Sequence, residues 1–316
     1  MRHATPPPPR PRLRAVLTML AVAAALTGCA GETAGEAGSG GAADTAVQVK
    51  AYDINPTPRD AVKDGGTLRW GIPEFPAQWN LHHVDGNLAV VERVVGALLP
   101  KPFLSDEKGT ISANPDYLLD GRVTATAPRQ VVTLTLNPKA RWSNGRPITW
   151  RDYRSQWTAL RGRDVRYRVA ATTGYQDIAD VRRGKDDFQV VITFATPFGD
   201  WRSLFGPLYP QETTSSPHSF NTGWLNRIPI TAGPFRFAGF DRRAKTITLV
   251  RDDGWWGNRA KLDRIVYRVL SSDALIGAFT DGELDLVDLG PSAADYRCAA
   301  ATPGAEVRQA AGPDFR

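Results

Sequence analysis

The chain has 316 residues, a formal net charge of +6, two cysteines and four histidines. Four of its basic residues (Arg2, Arg10, Arg12 and Arg14) precede an apolar N-terminal run, so loss of that leader takes the charge from +6 to +2, too little for a nucleic-acid-binding surface. With Cys29 closing the leader, Cys298 stands alone, which excludes an internal disulfide and a cysteine-based metal site.

Residues 15–26 are too short an apolar run to span a bilayer as a helix, and with the arginines before them they fit the core of a secretory signal. The run ends in Leu26-Thr27-Gly28-Cys29, which looks like a lipobox: small residues ahead of a cysteine that is diacylated and becomes the new N-terminus. Residues 1–28 are therefore read as a lipoprotein signal peptide and Cys29 as the lipidation site. An ordinary signal peptide with an incidental cysteine is the rival. Residues 30–46 are almost wholly Gly, Ala, Glu, Ser and Thr, and cannot bury enough apolar surface to fold. Residues 29–64 are read as the lipidated cysteine and a flexible tether, reaching on the order of 30 Å.

Downstream, Gly66-Thr67-Leu68-Arg69-Trp70-Gly71-Ile72 alternates as a strand, and Leu88, Val91, Val94, Val95 and Leu98 predict a helix over 87–97. Residues 131–136 read as a strand with Val132, Leu134 and Leu136 on one face. Asn144-Gly145 makes a turn, Thr149 with Asp152 resembles a capping box, and Trp150, Tyr153, Trp157 and Leu160 form the apolar stripe of the helix that follows. Residues 189–194 form a further strand. Phe235 and Phe237 face Ile247 and Leu249 as a hairpin, and 264–270 is another strand. A short helix runs from Ser271 to Thr280 with Gly282 at its C′ position, and 284–289 returns as a strand. This alternation predicts an α/β lobe with a mixed sheet.

No catalytic pattern stands out: Gly-x-Ser-x-Gly, His-Glu-x-x-His and the phosphate-binding Gly-x-x-x-x-Gly-Lys are all absent. His82 and His83 are adjacent, which points them apart on most backbones and opposes a shared metal. The run Asp281, Glu283, Asp285, Asp288 lacks the glycine and the terminal carboxylate of a calcium loop.

Three signals then fall in a fixed order. Ala232-Gly233-Pro234-Phe235-Arg236-Phe237 comes first, then Asp252-Asp253-Gly254-Trp255-Trp256-Gly257-Asn258 leading into Leu262-Asp263-Arg264-Ile265, and last Asp281-Gly282-Glu283-Leu284-Asp285-Leu286. Together with Trp142-Ser143-Asn144-Gly145-Arg146-Pro147-Ile148-Thr149 they closely resemble the family 5 solute-binding proteins, extracytoplasmic receptors of oligopeptide, nickel and glycan ABC importers. The resemblance implies a clamshell of the periplasmic-binding-protein-like II type. Residues 65–97 and 217–313 would form an incomplete first lobe and 98–216 a small inserted domain. Residues 314–316 would be the truncated start of a second large lobe that is missing. It also implies a binding protein and not an enzyme, with no cofactor and no metal.

By the same resemblance, an extended ligand lies against the loop after the first strand, here residues 79–87. Trp79, His82, Asp85, Gly86 and Asn87 are the candidate ligand-binding residues, Gly86 for close backbone approach and Asp85 as a hydrogen-bond acceptor. Tyr167, seven residues before Gly174, falls where peptide receptors place a ligand-stacking tyrosine. The family's Asp/Asn-Pro turn is here Asn80-Leu81, a local departure. Expected partners are a peptide or other small ligand, an ABC permease with its ATPase, and the outer face of the membrane through the lipid. The rival is a cell-envelope lipoprotein that binds or regulates phosphatidylinositol mannoside-type glycolipids. A secreted hydrolase is a third reading without a visible nucleophile–base set.

Overall fold

The computed structural model describes residues 53, 55–106, 108–290 and 292–308. The signal peptide, Cys29, the start of the tether and residues 314–316 lie outside them.

Ten strands and six α-helices follow in chain order among the described residues: β1 (Thr67–Ile72), α1 (Ala89–Val95), β2 (Phe103–Ser105), β3 (Ile111–Ala113), β4 (Leu118–Ala125), β5 (Val131–Leu136), α2 (Trp150–Leu160), β6 (Ile178–Arg183), β7 (Gln189–Phe194), α3 (Gln211–Thr214), α4 (Pro217–Thr222), β8 (Phe235–Asp241), β9 (Thr246–Arg251), β10 (Arg264–Val269), α5 (Ser272–Thr280) and α6 (Ala293–Ala301). They build two four-stranded sheets and a small β2–β3 ribbon. The middle of the chain supplies an antiparallel sheet, β4-β5-β7-β6, and its flanks supply a mixed sheet, β1-β10-β9-β8, in which β1 runs parallel to β10.

Local chemistry accounts for most of these elements. In β5 the alternate residues Val132, Leu134 and Leu136 are buried, and the pattern repeats in β7 with Val190, Ile192 and Phe194. Helix α2 lies across β6 and β7 on Tyr153, Trp157 and Leu160, while Trp150 stays half-buried. Its start is a true capping box: Arg151 N–H donates to Thr149 Oγ1 at 3.4 Å, and Thr149 N–H donates to Asp152 Oδ2 at 2.9 Å. Asp replaces the usual Glu because its buried carboxylate also receives Arg146 Nη2 at 2.7 Å and Gln211 N–H at 3.0 Å. Gly162 ends the helix at φ +74°. Gly282 at φ +72° ends α5 in the same way.

The Ala232-Gly233-Pro234 signal leads into β8 and is tied to the segments that follow α1 and precede β4. Ala232 N–H donates to Leu98 O at 2.8 Å, and Tyr117 Oη donates to Ala232 O at 2.6 Å. A Cβ on Gly233 would lie 2.2 Å from Ala97 O, so only glycine fits. Trp256, from the second signal, donates its indole N–H to Asp116 O at 2.7 Å.

One expected element is absent as such. Residues 284–289 do not form a strand; a single parallel bridge joins Leu286 to Trp70. The reason is a side chain. Asp285 Oδ2 accepts the N–H of Arg69 at 2.7 Å, a donor that a strand backbone would otherwise take, and its carboxylate is gripped by the Arg69 guanidinium at 2.6 and 3.0 Å. No helix among the described residues is long and apolar enough to cross a membrane.

Candidate functional site

The loop between β1 and α1 is organised from within by Asn80, which is fully buried. Its side chain donates to Phe220 O at 3.0 Å and accepts from His82 N–H at 3.2 Å, while its carbonyl accepts from His83 N–H at 3.0 Å. Tyr209 Oη adds a second fixing point, donating to Trp79 O and accepting from Leu81 N–H, both at 2.8 Å. This explains the departure at Leu81: a proline there would have no N–H for Tyr209.

The loop then pairs with a distant segment. Val84 N–H donates to Arg168 O and Ala170 N–H to His82 O, each at 2.9 Å, with an antiparallel bridge at His83–Val169. The structure thus brings Tyr167 beside the loop, as well as Arg168, a residue the sequence did not single out. The only sequence signal for Arg168 is its position next to Tyr167.

The six candidates divide by exposure. Trp79 is wholly buried, stacked on Phe240 at 5.3 Å and edge-on to Phe75 at 6.4 Å. Tyr167 is buried too, edge-on to Phe220 at 5.4 Å, with its hydroxyl donating to Thr214 O at 3.3 Å. Desolvation raises its phenol pKa, and nearby Asp164 adds to the effect. Gly86 is buried against the loop itself: a Cβ would meet Asn80 O at 2.2 Å, so the close backbone approach that demands glycine is intramolecular. His82 is half-buried, its Nε2 2.8 Å from Pro207 O, and burial pushes its imidazole down to about 4. Asp85 and Asn87 are exposed.

Asp85 is the one charged group that the loop presents. Its backbone N–H donates to His83 Nδ1 at 3.0 Å, and its carboxylate faces Arg168 at 3.0 and 3.2 Å. His83 is almost fully buried; desolvation lowers its pKa, Arg168 adds to this and Asp85 opposes it. Accepting at Nδ1 leaves its proton on Nε2. The two histidines therefore serve different partners, and among the described residues no group of three or more ligand-type side chains could hold a metal. Chemically, the arrangement offers a solvent-facing carboxylate with a shared guanidinium on a rigid base. A cleft of about 270 Å³ lies between Gly71, Arg93, Leu275 and Asp288, and one of about 690 Å³ is lined by residues including Phe279, Asp285, Ala299 and Arg308; neither includes a residue of this loop.

Comparison with known proteins supplies the context. Residues 115–315 match the profile described as bacterial extracellular solute-binding proteins, family 5 middle. The oligopeptide-binding protein OppA of Mycobacterium tuberculosis is 40% identical over 309 residues, covering 95% of this chain and 51% of that protein. The probable monoacyl phosphatidylinositol tetramannoside-binding protein LpqW of the same species is 27% identical over 237 residues, 72% of this chain and 36% of that protein. Among solved structures, the periplasmic EDTA-binding protein EppA superposes with a TM-score of 0.71 at 28% identity, covering 79% of this chain and 47% of that one. The oligopeptide-binding protein AppA from Bacillus subtilis, in complex with a nonapeptide, gives 0.66 at 16% identity, covering 76% and 47%, which speaks for the fold alone. The chain thus spans about half the length of OppA and about a third of that of LpqW.

Proposed function

The chain belongs to family 5 of the bacterial extracellular solute-binding proteins, a family of binding proteins and not enzymes, and from that premise we propose that it is the lipid-anchored, oligopeptide-binding component of an ABC importer. The observation that carries this reading is the 40% identity to an oligopeptide-binding protein over 309 residues. In this proposal residues 65–97 and 217–313 belong to the first lobe of a clamshell and 98–216 to an inserted domain. Residues 1–28 are the signal, Cys29 carries the lipid and 29–64 is the tether. The permease and ATPase are the transport partners.

Loop 79–87 would form one wall of the peptide site. Asp85 accepts hydrogen bonds from the ligand's N–H groups or ammonium, exchanging part of its pairing with Arg168. Asn87 offers an amide, and Trp79, His82, Gly86 and Tyr167 hold the wall in place from behind. Such a wall excludes water from one side of a ligand only, so residues 79–87 taken by themselves hold a peptide weakly, at about millimolar or some 4 kcal/mol. Nuclear magnetic resonance titration with short peptides tests this: shifts confined to residues 82–87 and 166–170, weakened in Asp85→Ala, are expected. No response at this loop, or an equal response in Asp85→Ala, would overturn it. Fatty-acid labelling that persists in Cys29→Ala would remove the anchor from the proposal.

A second reading is favoured by the 27% identity to a probable tetramannoside-binding protein. It assigns the same wall to a mannosylated phosphatidylinositol, and mannoside-induced shifts at the loop without any peptide response would select it.

A further inference from the structure

Next to the candidate wall, the segment 154–168 carries five arginines and one aspartate, a net charge of +4 where the chain without its leader totals +2. Arg154 pairs with Asp180 at 3.1 Å and Arg168 with Asp85 at 3.0 Å, whereas Arg161 and Arg163 have no carboxylate partner among the described residues. Arg161 lies over the Trp157 ring at 4.6 Å and Arg154 over the same ring at 5.9 Å, and the buried Nε of Arg161 has no hydrogen-bond partner among the described residues. Arg163 is exposed and makes no ion pair there. Guanidiniums crowded in this way repel one another, and the Arg161 pKa is lowered by desolvation and then by Arg163 and Arg154. A cluster of this kind attracts an anion.

Beside it stands Val165, 90% exposed, against 57% for Leu119, the next most exposed large apolar side chain among the described residues. A single exposed valine is ordinary. This one is displayed by a braced turn. Tyr167 N–H donates to Asp164 O at 3.1 Å, and the Asp164 carboxylate receives Arg166 N at 3.1 Å, Nε at 2.9 Å and Nη2 at 2.7 Å. Tyr167, buried, anchors the end of the turn. The ion pair neutralises Asp164 within the turn, so the tip shows its partner an apolar side chain flanked by unpaired positive charge.

We propose that the turn 161–166 is a docking tip for the surface of an anionic phospholipid bilayer. Arg161 and Arg163 pair with lipid phosphates, and Val165 enters the layer just beneath them. Guanidinium suits phosphate through its planar fork of donors, and basic side chains near an anionic surface each strengthen attachment. A membrane matches both halves of the feature, whereas a small anion needs only the arginines. The inference stands apart from the ligand of loop 79–87. Attachment through Cys29, itself proposed, would supply the high local concentration that makes a weak contact effective.

The test uses the chain from residue 30 onward, which keeps every described residue and carries no acyl group. Co-sedimentation with phosphatidylcholine vesicles containing phosphatidylglycerol is compared with pure phosphatidylcholine. Binding to the anionic vesicles alone, weakening with salt, is expected. Arg163→Glu and Val165→Asp should each lower it about tenfold. Both side chains are exposed, so unchanged melting curves certify that the variants fold, with Arg163→Ala as the milder substitution. Equal binding to neutral vesicles, no binding to either, or full binding by both variants would overturn the proposal. So would complete competition by inorganic phosphate at matched ionic strength, which would reveal a discrete anion site. Retention on immobilised polyglutamate but not on vesicles would mark an acidic protein partner instead.

Discussion

The two sheets reach four strands by different routes. All strands of the antiparallel sheet come from residues 118–194, with α2 drawn from the same stretch. The mixed sheet joins β1 to β10, whose entry is tied by Gly66 N–H donating to Asp263 Oδ2 across 197 residues. Closing so long a loop costs chain entropy before any pairing is gained. The outer edge of β1 is then occupied by the Asp285 carboxylate and the backbone of Asp285 and Leu286 in place of a full strand. The contrast teaches that the first sheet is specified locally, while the second depends on long-range closure and an improvised edge.

The largest expected effect breaks the local sheet. Trp157 is 3% exposed beneath α2, and Trp157→Ala should cost about 3–5 kcal/mol. Denaturant unfolding measures the loss. Hydrogen exchange should accelerate in β4–β7 more than in β1 and β8–β10, and equal acceleration in both sheets would show that the two are one cooperative unit.

A smaller effect probes the seam between the two regions. His82 Nε2 and Gln156 Nε2 of α2 share the Pro207 carbonyl, at 2.8 and 3.2 Å. An imidazole that ordinarily titrates at 6.5 and is held down to about 4 by burial is neutral in the fold and takes up its proton more readily when unfolded. Its contribution is therefore complete above pH 6.5 and is lost as the pH falls towards 4. With solvent reaching part of the residue, this amounts to about 2 kcal/mol. His82→Gln should flatten the stability profile across that window, and an unchanged acid slope would remove His82 from the seam.

The smallest effect sharpens the contrast at the edge of β1. The Asp285 carboxylate is held below the usual range by its hydrogen bonds to Arg69. The pair is partly exposed, so Asp285→Ala should cost only about 1 kcal/mol. The amide of Arg69 should nevertheless exchange much faster. Unaltered exchange there would mean that the main chain of 285–286 protects the edge unaided.

What the sequence determined by itself is whatever acts within a turn of helix or along one strand. Thr149 and Asp152 sit three residues apart and bond each other, so the start of α2 was legible. The alternation of Val132, Leu134 and Leu136 set a face, and the ordered Gly-Pro-Phe, Trp-Trp-Gly and Asp-Gly-Glu signals identified the family. The tertiary structure decided everything that depends on a partner far along the chain. Asp85 reads as a free acceptor until Arg168, 83 residues on, is folded against it. Trp79 reads as a ligand-binding residue of the loop and Tyr167 as a ligand-stacking one, and the fold buries both, Trp79 stacked on Phe240 and Tyr167 edge-on to Phe220, because burying a large aromatic ring against another ring gains more than leaving it in water. Residues 284–289 carry the alternation of a strand, but the Asp285 side chain takes the N–H that β1 would have given to a neighbour. Periodicity states what a segment could pair with; only the folded chain shows which donor the acceptor meets first.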